Sequence, residues 1–274
     1  MGSTATHNAH GVISDSTIEE LADELWMADR KAAPIQPLTA RYPDLVIEDA
    51  YAIQSHNIER RIKAGAHVIG RKVGLTSKPM QQLLGVDEPD YGVLLDDMVV
   101  EDGDLIALSS LVQPRVEAEM AFLMQTDLVG PGVTTAKALA AIAGVLPSIE
   151  VVDSRVADWK IKLVDTVADN ASSGLFVMGG NLRPVTELDL PLIGVVVSRN
   201  GEVIDTGAGA AALGNPARCV AWLANKLATF GAGLRAGDIV LPGAVHKMVD
   251  VQPGDSFRAD FAGIGSVTAR FSAA

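Results

Sequence analysis

The chain holds a single cysteine, Cys219, in 274 residues. One thiol excludes an intrachain disulfide framework and fits a reducing compartment. Cys219 falls within a helical pattern, which suits a small buried side chain better than a nucleophile. No apolar run reaches the roughly 18 residues that a membrane-spanning helix needs. The opening residues also lack the basic-then-apolar pattern of a secretory signal, so the expected location is cytoplasmic. Basic residues are scarce: 22 Lys and Arg face 34 Asp and Glu, for a net charge of −12. That balance argues against nucleic acid or an anionic membrane as the main partner. A small anionic substrate would have to be attracted locally, by a metal or by placed Lys and Arg residues. Several catalytic signatures are missing too. There is no Gly-x-Ser-x-Gly elbow and no phosphate loop ending in Gly-Lys-Ser/Thr, and Gly207-Ala208-Gly209 followed by Gly214 lacks dinucleotide spacing.

What is present points to a well-packed enzyme-like chain. Hydrophobic residues make up 48% and charged residues only 20%, which excludes global disorder and permits a large core. The length suits a main domain with a small appendage. With 26 Gly and 13 Pro spread along it, the chain reads as turn-rich rather than as a helical bundle.

Residues 1–13 are polar and patternless and are expected to form a disordered tail. Ser16-Thr17-Ile18-Glu19 reads as a capping box, opening a helix with Ile18, Leu21, Ala22 and Leu25 on one face and an end near Arg30. A second helix is expected from Ile47 to Ala64, stopped by Gly65, with Tyr51, Ile58 and Ile62 in its stripe. Residues 14–66 are thus expected to form a helical N-terminal subdomain, and 67–274 the main domain.

From His67 the texture changes to short β-like runs. Val68 to Val73 reads as a strand, and Thr76 or Ser77 as the cap of a short helix ending at Gly85. Thr134 opens a helix to Ala143 with Gly144 as its stop. Asn200-Gly201 between two valine-rich runs signals a type I′ hairpin, and Asn215-Pro216 a helix start. Hairpins outnumber strand–helix–strand units. The expected fold is therefore α+β, with a largely antiparallel or mixed sheet curled toward a barrel.

The chemistry centres on Gln113 to Met124, where Glu117 and Glu119 stand two apart at the mouth of an apolar run. In a strand, period-2 geometry sends both carboxylates to one face, roughly 6–7 Å apart along the chain. Like charges that close need a cation or a proton. Glu150 sits within a second apolar run, Val145 to Val152. Three converging carboxylates without His or Cys form a hard, all-oxygen set that suits Mg²⁺ or Mn²⁺ better than Zn²⁺. The competing reading places Glu117 and Glu119 on the solvated face of an edge strand, and spacing leaves both open. Arg71-Lys72 is either an anion clamp or proton shuttle, or an ordinary solvated pair. Asp90 lies in a turn, Pro89-Asp90-Tyr91-Gly92, where such residues often bond their own backbone. The polar segment Asp165 to Gly174 can support metal-binding carboxylates through hydrogen bonds. His246 is the one histidine in a mouth-like loop.

Several stretches together resemble the fumarylacetoacetate hydrolase superfamily, and within it the 2-hydroxypentadienoate hydratases of aromatic or steroid ring degradation. They are Gly70 to Thr76, Leu84 to Gly92, Gln113 to Glu119, Ile149 to Val152 with Ser154-Arg155, Asp158-Trp159, Asp165 to Ser172, Ala221 to Ala224, and Gly263 to Val267. The likeness covers the chain from about residue 16 onward. It implies a β-rich mixed-sheet catalytic domain, barrel- or roll-like, and a homo-oligomer. Glu117, Glu119 and Glu150 become ligands for Mg²⁺ or Mn²⁺. Lys72 and Asp90 fall on catalytic positions, and Arg71, Leu94, Asn170 and Ser172 on substrate-binding ones. The implied substrate is a 2-hydroxydienoate or 2-oxo acid, with a pathway aldolase or decarboxylase as a partner. A 4-oxalocrotonate decarboxylase is the alternative, although such enzymes often carry Asp-Val-Ile where this chain has Asp165-Thr166-Val167. A non-catalytic subunit of a hydratase–decarboxylase assembly is a further one. An acylpyruvate hydrolase ranks behind these, since the N-terminal segment shows no clear His-Glu dyad.

Overall fold

A computed structural model describes residues 13–78, 81–82 and 85–273. Residues 1–12 of the expected tail lie outside the described residues, as do positions 79, 80, 83 and 84 of the expected short helix before Gly85.

Three helices open the chain: α1 (Asp15–Lys31), α2 (Leu38–Arg41) and α3 (Ile47–Lys63). The cap of α1 is Ser14 rather than Ser16, because Ser14 is the extended residue whose Oγ accepts the Thr17 N–H at 3.2 Å. Its expected apolar face is inward, with Leu21, Ala22 and Leu25 buried. The stripe of α3 buries Tyr51 and Ile58, but Ile62, in the basic last turn, is 43% exposed. These helices are tied to the rest by buried polar contacts. Asp165, in α5 (Leu163–Ala168), accepts both the Thr39 N–H (2.9 Å) and Oγ1–H (2.7 Å). Gln54 donates to the carbonyls of Tyr91 and Val167. Leu21, Leu38 and Ile53 share one hydrophobic cluster with Phe122 and Phe257 of the β region, so the core is continuous.

The strands are β1 (Val68–Gly74), β2 (Asp90–Leu95), β3 (Val99–Glu101), β4 (Leu105–Ile106), β5 (Pro114–Met124), β6 (Ile142–Asp153) and β7 (Ser173–Met178). They continue as β8 (Arg183–Pro184), β9 (Gly194–Arg199), β10 (Glu202–Ala208), β11 (Ile239–Leu241), β12 (Val249–Asp250), β13 (Ser256–Phe261) and β14 (Gly265–Phe271). Among the described residues, nine strands form one mixed sheet in the order β2-β1-β11-β5-β6-β7-β3, with β12 added to β5 and β8 to β6. Five form a second sheet, β10-β9-β13-β14-β4. The whole is the expected α+β fold, its main sheet curled into a half-barrel.

Local chemistry explains most elements. In the β9–β10 hairpin Asn200 and Gly201 take φ of 54° and 87°, as a type I′ turn requires. Asn215 caps α6 (Pro216–Ala228) through the Ala217 N–H. Cys219 on α6 is fully buried, and desolvation pushes its thiol pKa up. Thr134 caps α4 (Thr135–Ala141) as expected, yet that helix ends before Ala143. The β-branched Ile142 and then Gly144 already pair with Met124 and Leu123, so the strand claims them. β5 is an interior strand between β6 and β11, which removes the edge-strand reading.

Close approach fixes one further residue. In the parallel β1–β11 pair, a Cβ on Gly70 would stand 1.9 Å from the Ile239 carbonyl oxygen. Gly70→Ala is expected to lower stability by about 1–3 kcal/mol, read by denaturant or thermal unfolding. An unchanged midpoint would show that β1 and β11 separate freely.

Candidate active site and metal centre

The antiparallel β5–β6 pair brings Glu117 directly opposite Glu150, and Glu119 opposite Ser148. Alternation along β5 puts Glu117 and Glu119 on one face. Each of the three glutamates offers a carboxylate oxygen within 4.8 Å of the others. Glu119 and Glu150 are each 1% exposed, and Glu117 is half-buried at the floor of a cavity. Neighbouring groups hold part of the set. The Gly243 N–H donates to Glu119 Oε2 at 2.8 Å, and Ser173 Oγ donates to Glu150 Oε1 at 3.4 Å. Glu150 Oε2 is buried and has no hydrogen-bond partner among the described residues.

Lys72 and Asp90 reach the cluster from the β1–β2 pair, which β11 separates from β5. Lys72 Nζ lies 3.3 Å from Glu150 Oε1 and donates to the Ala171 carbonyl at 2.9 Å. Asp90 pairs with Gly74, and a Cβ at position 74 would stand 2.2 Å from Asp90 Oδ1. Only glycine leaves that oxygen its place.

The electrostatics follow from too many buried acids around one ammonium. Burial would depress Lys72, but Glu150, Asp90, Glu117 and Glu119 outweigh it and hold the ammonium charged, with its pKa raised. Burial lifts Asp90 to about 6 against the pull of Lys72. Burial and the Glu150 charge lift Glu117 to about 7. Glu119 is pushed well above the carboxylate range by burial and by both other glutamates, and burial raises Glu150 despite Lys72.

Not every expected site residue meets here. Lys72, Asp90, Glu117 and Ser172 line one cavity of about 1130 Å³. Arg71, one residue from Lys72, projects to the other side of β1 and donates to the Gly70 carbonyl. Leu94 is buried in a smaller apolar cluster with Phe176 and Leu241. Asn170 clamps β2, its side chain accepting the Val93 N–H (2.7 Å) and donating to the Val93 carbonyl (2.9 Å). Ser172 Oγ is paired with Thr166 Oγ1. Two backbone groups, the Ala171 carbonyl and the Gly243 N–H, escaped side-chain reasoning because any residue can supply them. Ser173 lay within the polar segment already noted. Ala171 is presented by a run of left-handed residues, Asn170, Ala171 and Ser172, with φ of 53°, 52° and 53°.

Three oxygen-donor acids, one carboxylate oxygen without a partner, and one ammonium against four acids fit a hard divalent cation. Among the described residues, the cluster includes no thiolate or imidazole ligand of the kind softer metals take.

A half-barrel carrying a buried glutamate trio on adjacent strands defines the class, and residues 60–272 match the family described as fumarylacetoacetate (FAA) hydrolase C-terminal. The chain belongs to the fumarylacetoacetate hydrolase family. It is 51% identical over 253 residues to the 2-keto-4-pentenoate hydratase of Paraburkholderia xenovorans (strain LB400), covering 92% of this chain and 94% of that one. It is 53% identical over 215 residues to a 2-hydroxypent-2,4-dienoate hydratase of Pseudomonas putida, covering 78% of this chain and 97% of that one. Among solved structures, the 4-oxalocrotonate decarboxylase from Pseudomonas putida G7, complexed with magnesium and adipate, superposes with a TM-score of 0.91 at 39% identity, over 95% of this chain and 99% of that one.

A carboxyl whose folded pKa lies above its unfolded value binds more protons folded than unfolded, so stability falls as pH rises through that interval. For Glu117 the interval runs from the ordinary carboxylate range to about 7. Metal-free protein is therefore expected to lose melting temperature between about pH 5 and pH 8, and Glu117→Gln to flatten that loss. A profile identical in the variant would show that Glu117 ionises freely.

Proposed function

We propose that this chain is a divalent-metal-dependent hydro-lyase. It adds water to 2-hydroxypenta-2,4-dienoate, or a close alkyl homologue, to give a 4-hydroxy-2-oxo acid. The observation that carries this reading is the glutamate trio, whose Glu117 opens with Lys72 and Asp90 onto one cavity. Relatives named as hydratases, above 50% identity, support the choice of reaction.

Glu117, Glu119 and Glu150 are the residues that would hold Mg²⁺ or Mn²⁺. Such an ion, when bound, supplies Lewis-acid polarisation of a 2-oxo acid and charge to offset the acids. The remaining chemistry falls to the chain. The dienol first becomes its 2-oxo-3-enoate tautomer, losing the proton on O2 and gaining one at C5. Water then adds as hydroxide to C4, and a proton to C3. Asp90, with a pKa near neutrality, is suited to take a proton from the dienol or from the attacking water. Lys72, held charged and fixed on the Ala171 carbonyl, is suited to face and stabilise developing negative charge rather than to release its proton. Trp159, Ile161 and Val152 on the cavity wall give the dienoate tail an apolar surface and limit water.

The family likeness supports a homo-oligomer. The product class also places a carbon–carbon-cleaving aldolase next in the reaction sequence, since a hydroxyl two carbons from a ketone permits retro-aldol cleavage. Aromatic or steroid ring catabolism is the setting in which such dienoates arise. Among the described residues, no helix is long and apolar enough to cross a membrane, which fits the cytoplasmic reading.

Decarboxylation of 2-oxo-3-hexenedioate is the second reading, favoured by the TM-score of 0.91 to the decarboxylase. A non-catalytic role fits less well, because an unused buried acid cluster costs stability.

Incubation with 2-hydroxypentadienoate and Mg²⁺ is expected to consume the dienol absorbance and yield 4-hydroxy-2-oxopentanoate by mass spectrometry. Release of CO₂ from 2-oxo-3-hexenedioate, with the dienoate untouched, would favour the decarboxylase instead. Lys72→Ala and Asp90→Asn are each expected to lower turnover by about 10²–10⁴-fold. Near-normal kcat in both would remove them from the chemistry.

A further inference from the structure

Alternate residues of β5 send their backbone groups to opposite neighbours. Ala118, between Glu117 and Glu119, directs its N–H and C=O away from β6. On that side β12 pairs with Val116 and β11 with Phe122, but neither strand reaches Ala118. The loop 242–248 fills this gap. The Val245 N–H donates to the Ala118 carbonyl at 3.1 Å, as a neighbouring strand would. The Ala118 N–H, however, meets a side chain: it donates to His246 Nε2 at 2.7 Å. An imidazole nitrogen thus replaces the carbonyl that a continuous strand would offer. Two residues before Val245 in the same loop, the Gly243 N–H holds Glu119 Oε2.

The ring itself is tightly specified. Its side chain is 0% exposed, although it borders the cavity. Acceptance at Nε2 places the single ring proton on Nδ1. Nδ1 faces Asp205 Oδ2 at 3.7 Å, from β10 in the second sheet, and has no hydrogen-bond partner among the described residues. The nearby carboxylate favours that tautomer. The one free lone pair of the ring is already engaged by backbone, so His246 has none left to take a proton from substrate or water. Its place in the structure is mechanical.

We propose that His246 is a positioning residue: it completes the β5 ladder at Ala118 and so holds Glu117 and Glu119 at the spacing needed to share one divalent cation. Asp205 serves the same end by selecting the ring tautomer. This inference rests on the metal reading of the trio, and its test separates the two.

Mn²⁺ alone is titrated into the full-length, metal-free protein, followed by loss of the free-ion paramagnetic resonance signal. His246→Leu, which keeps bulk but offers no acceptor, is expected to weaken Mn²⁺ binding by roughly 10- to 100-fold, as loss of a supporting contact behind a metal ligand does. His246→Gln, whose amide oxygen can reach the Ala118 N–H, is expected to restore most of the affinity. If the leucine variant does not fold, His246→Asn is the comparison, its amide being too short to reach. Wild type that takes up no Mn²⁺ would sink the metal reading itself. Wild type that binds, with leucine or asparagine binding equally tightly or glutamine no better than either, would overturn the role of His246 alone.

Discussion

Repulsion among carboxylates buried side by side is the constraint around which this molecule is arranged. In a low-dielectric pocket, charges of one sign at a few ångströms cost several kcal/mol unless something opposes them. The chain opposes them incompletely. Lys72 and Ser173 meet Glu150, and the Gly243 N–H meets Glu119, while one Glu150 oxygen has no hydrogen-bond partner among the described residues. The shortfall is what makes the cluster a receptor for positive charge rather than a sealed ion-pair network. By contrast, Arg155 with Asp169, close by, is satisfied on nearly every donor and reads as structural support.

A sheet answers this constraint better than a set of loops would. Antiparallel pairing locks Glu117 across from Glu150, since a one-residue slip of β5 would turn Glu117 and Glu119 to the opposite face, away from Glu150. Curling of the same sheet then swings β1 and β2 round, so that Lys72 and Asp90 arrive from strands two and three places from β5. Loops contribute what strands cannot, namely free backbone donors and acceptors aimed inward. The ligands are thus held by a rigid frame, and the reacting groups stand within reach of it.

Much of this was legible in the sequence, and the gaps have definite physical causes. Alternation made the shared face of Glu117 and Glu119 readable from spacing alone. The meeting with Glu150 was not readable that way, because strand register depends on long-range pairing across the intervening turn and α4; family likeness had to supply it. Arg71 and Lys72 are chemically alike and adjacent, so composition gave no way to choose. The strand chooses, by sending one to each side. Asn170 sits in a segment rich in polar groups, and only the folded backbone shows that its amide is spent on Val93. Helix ends were displaced where a competing element won: Ser14 caps ahead of Ser16, and β6 takes Ile142 and Gly144 from α4.

The three successive left-handed residues that carry the Ala171 carbonyl have a mechanical consequence. A residue with a Cβ in that conformation costs roughly 1–2 kcal/mol relative to a relaxed backbone, least for asparagine, and the Asn170 clamp on Val93 and the Ser172–Thr166 contact offset part of it. Glycine would relieve the conformation but forfeit those contacts and slacken the tether on Lys72, turning a fixed ammonium into a wandering one. The side chains at 170 and 172 thus act as guy-ropes for a turn whose purpose is to keep one carbonyl oxygen still.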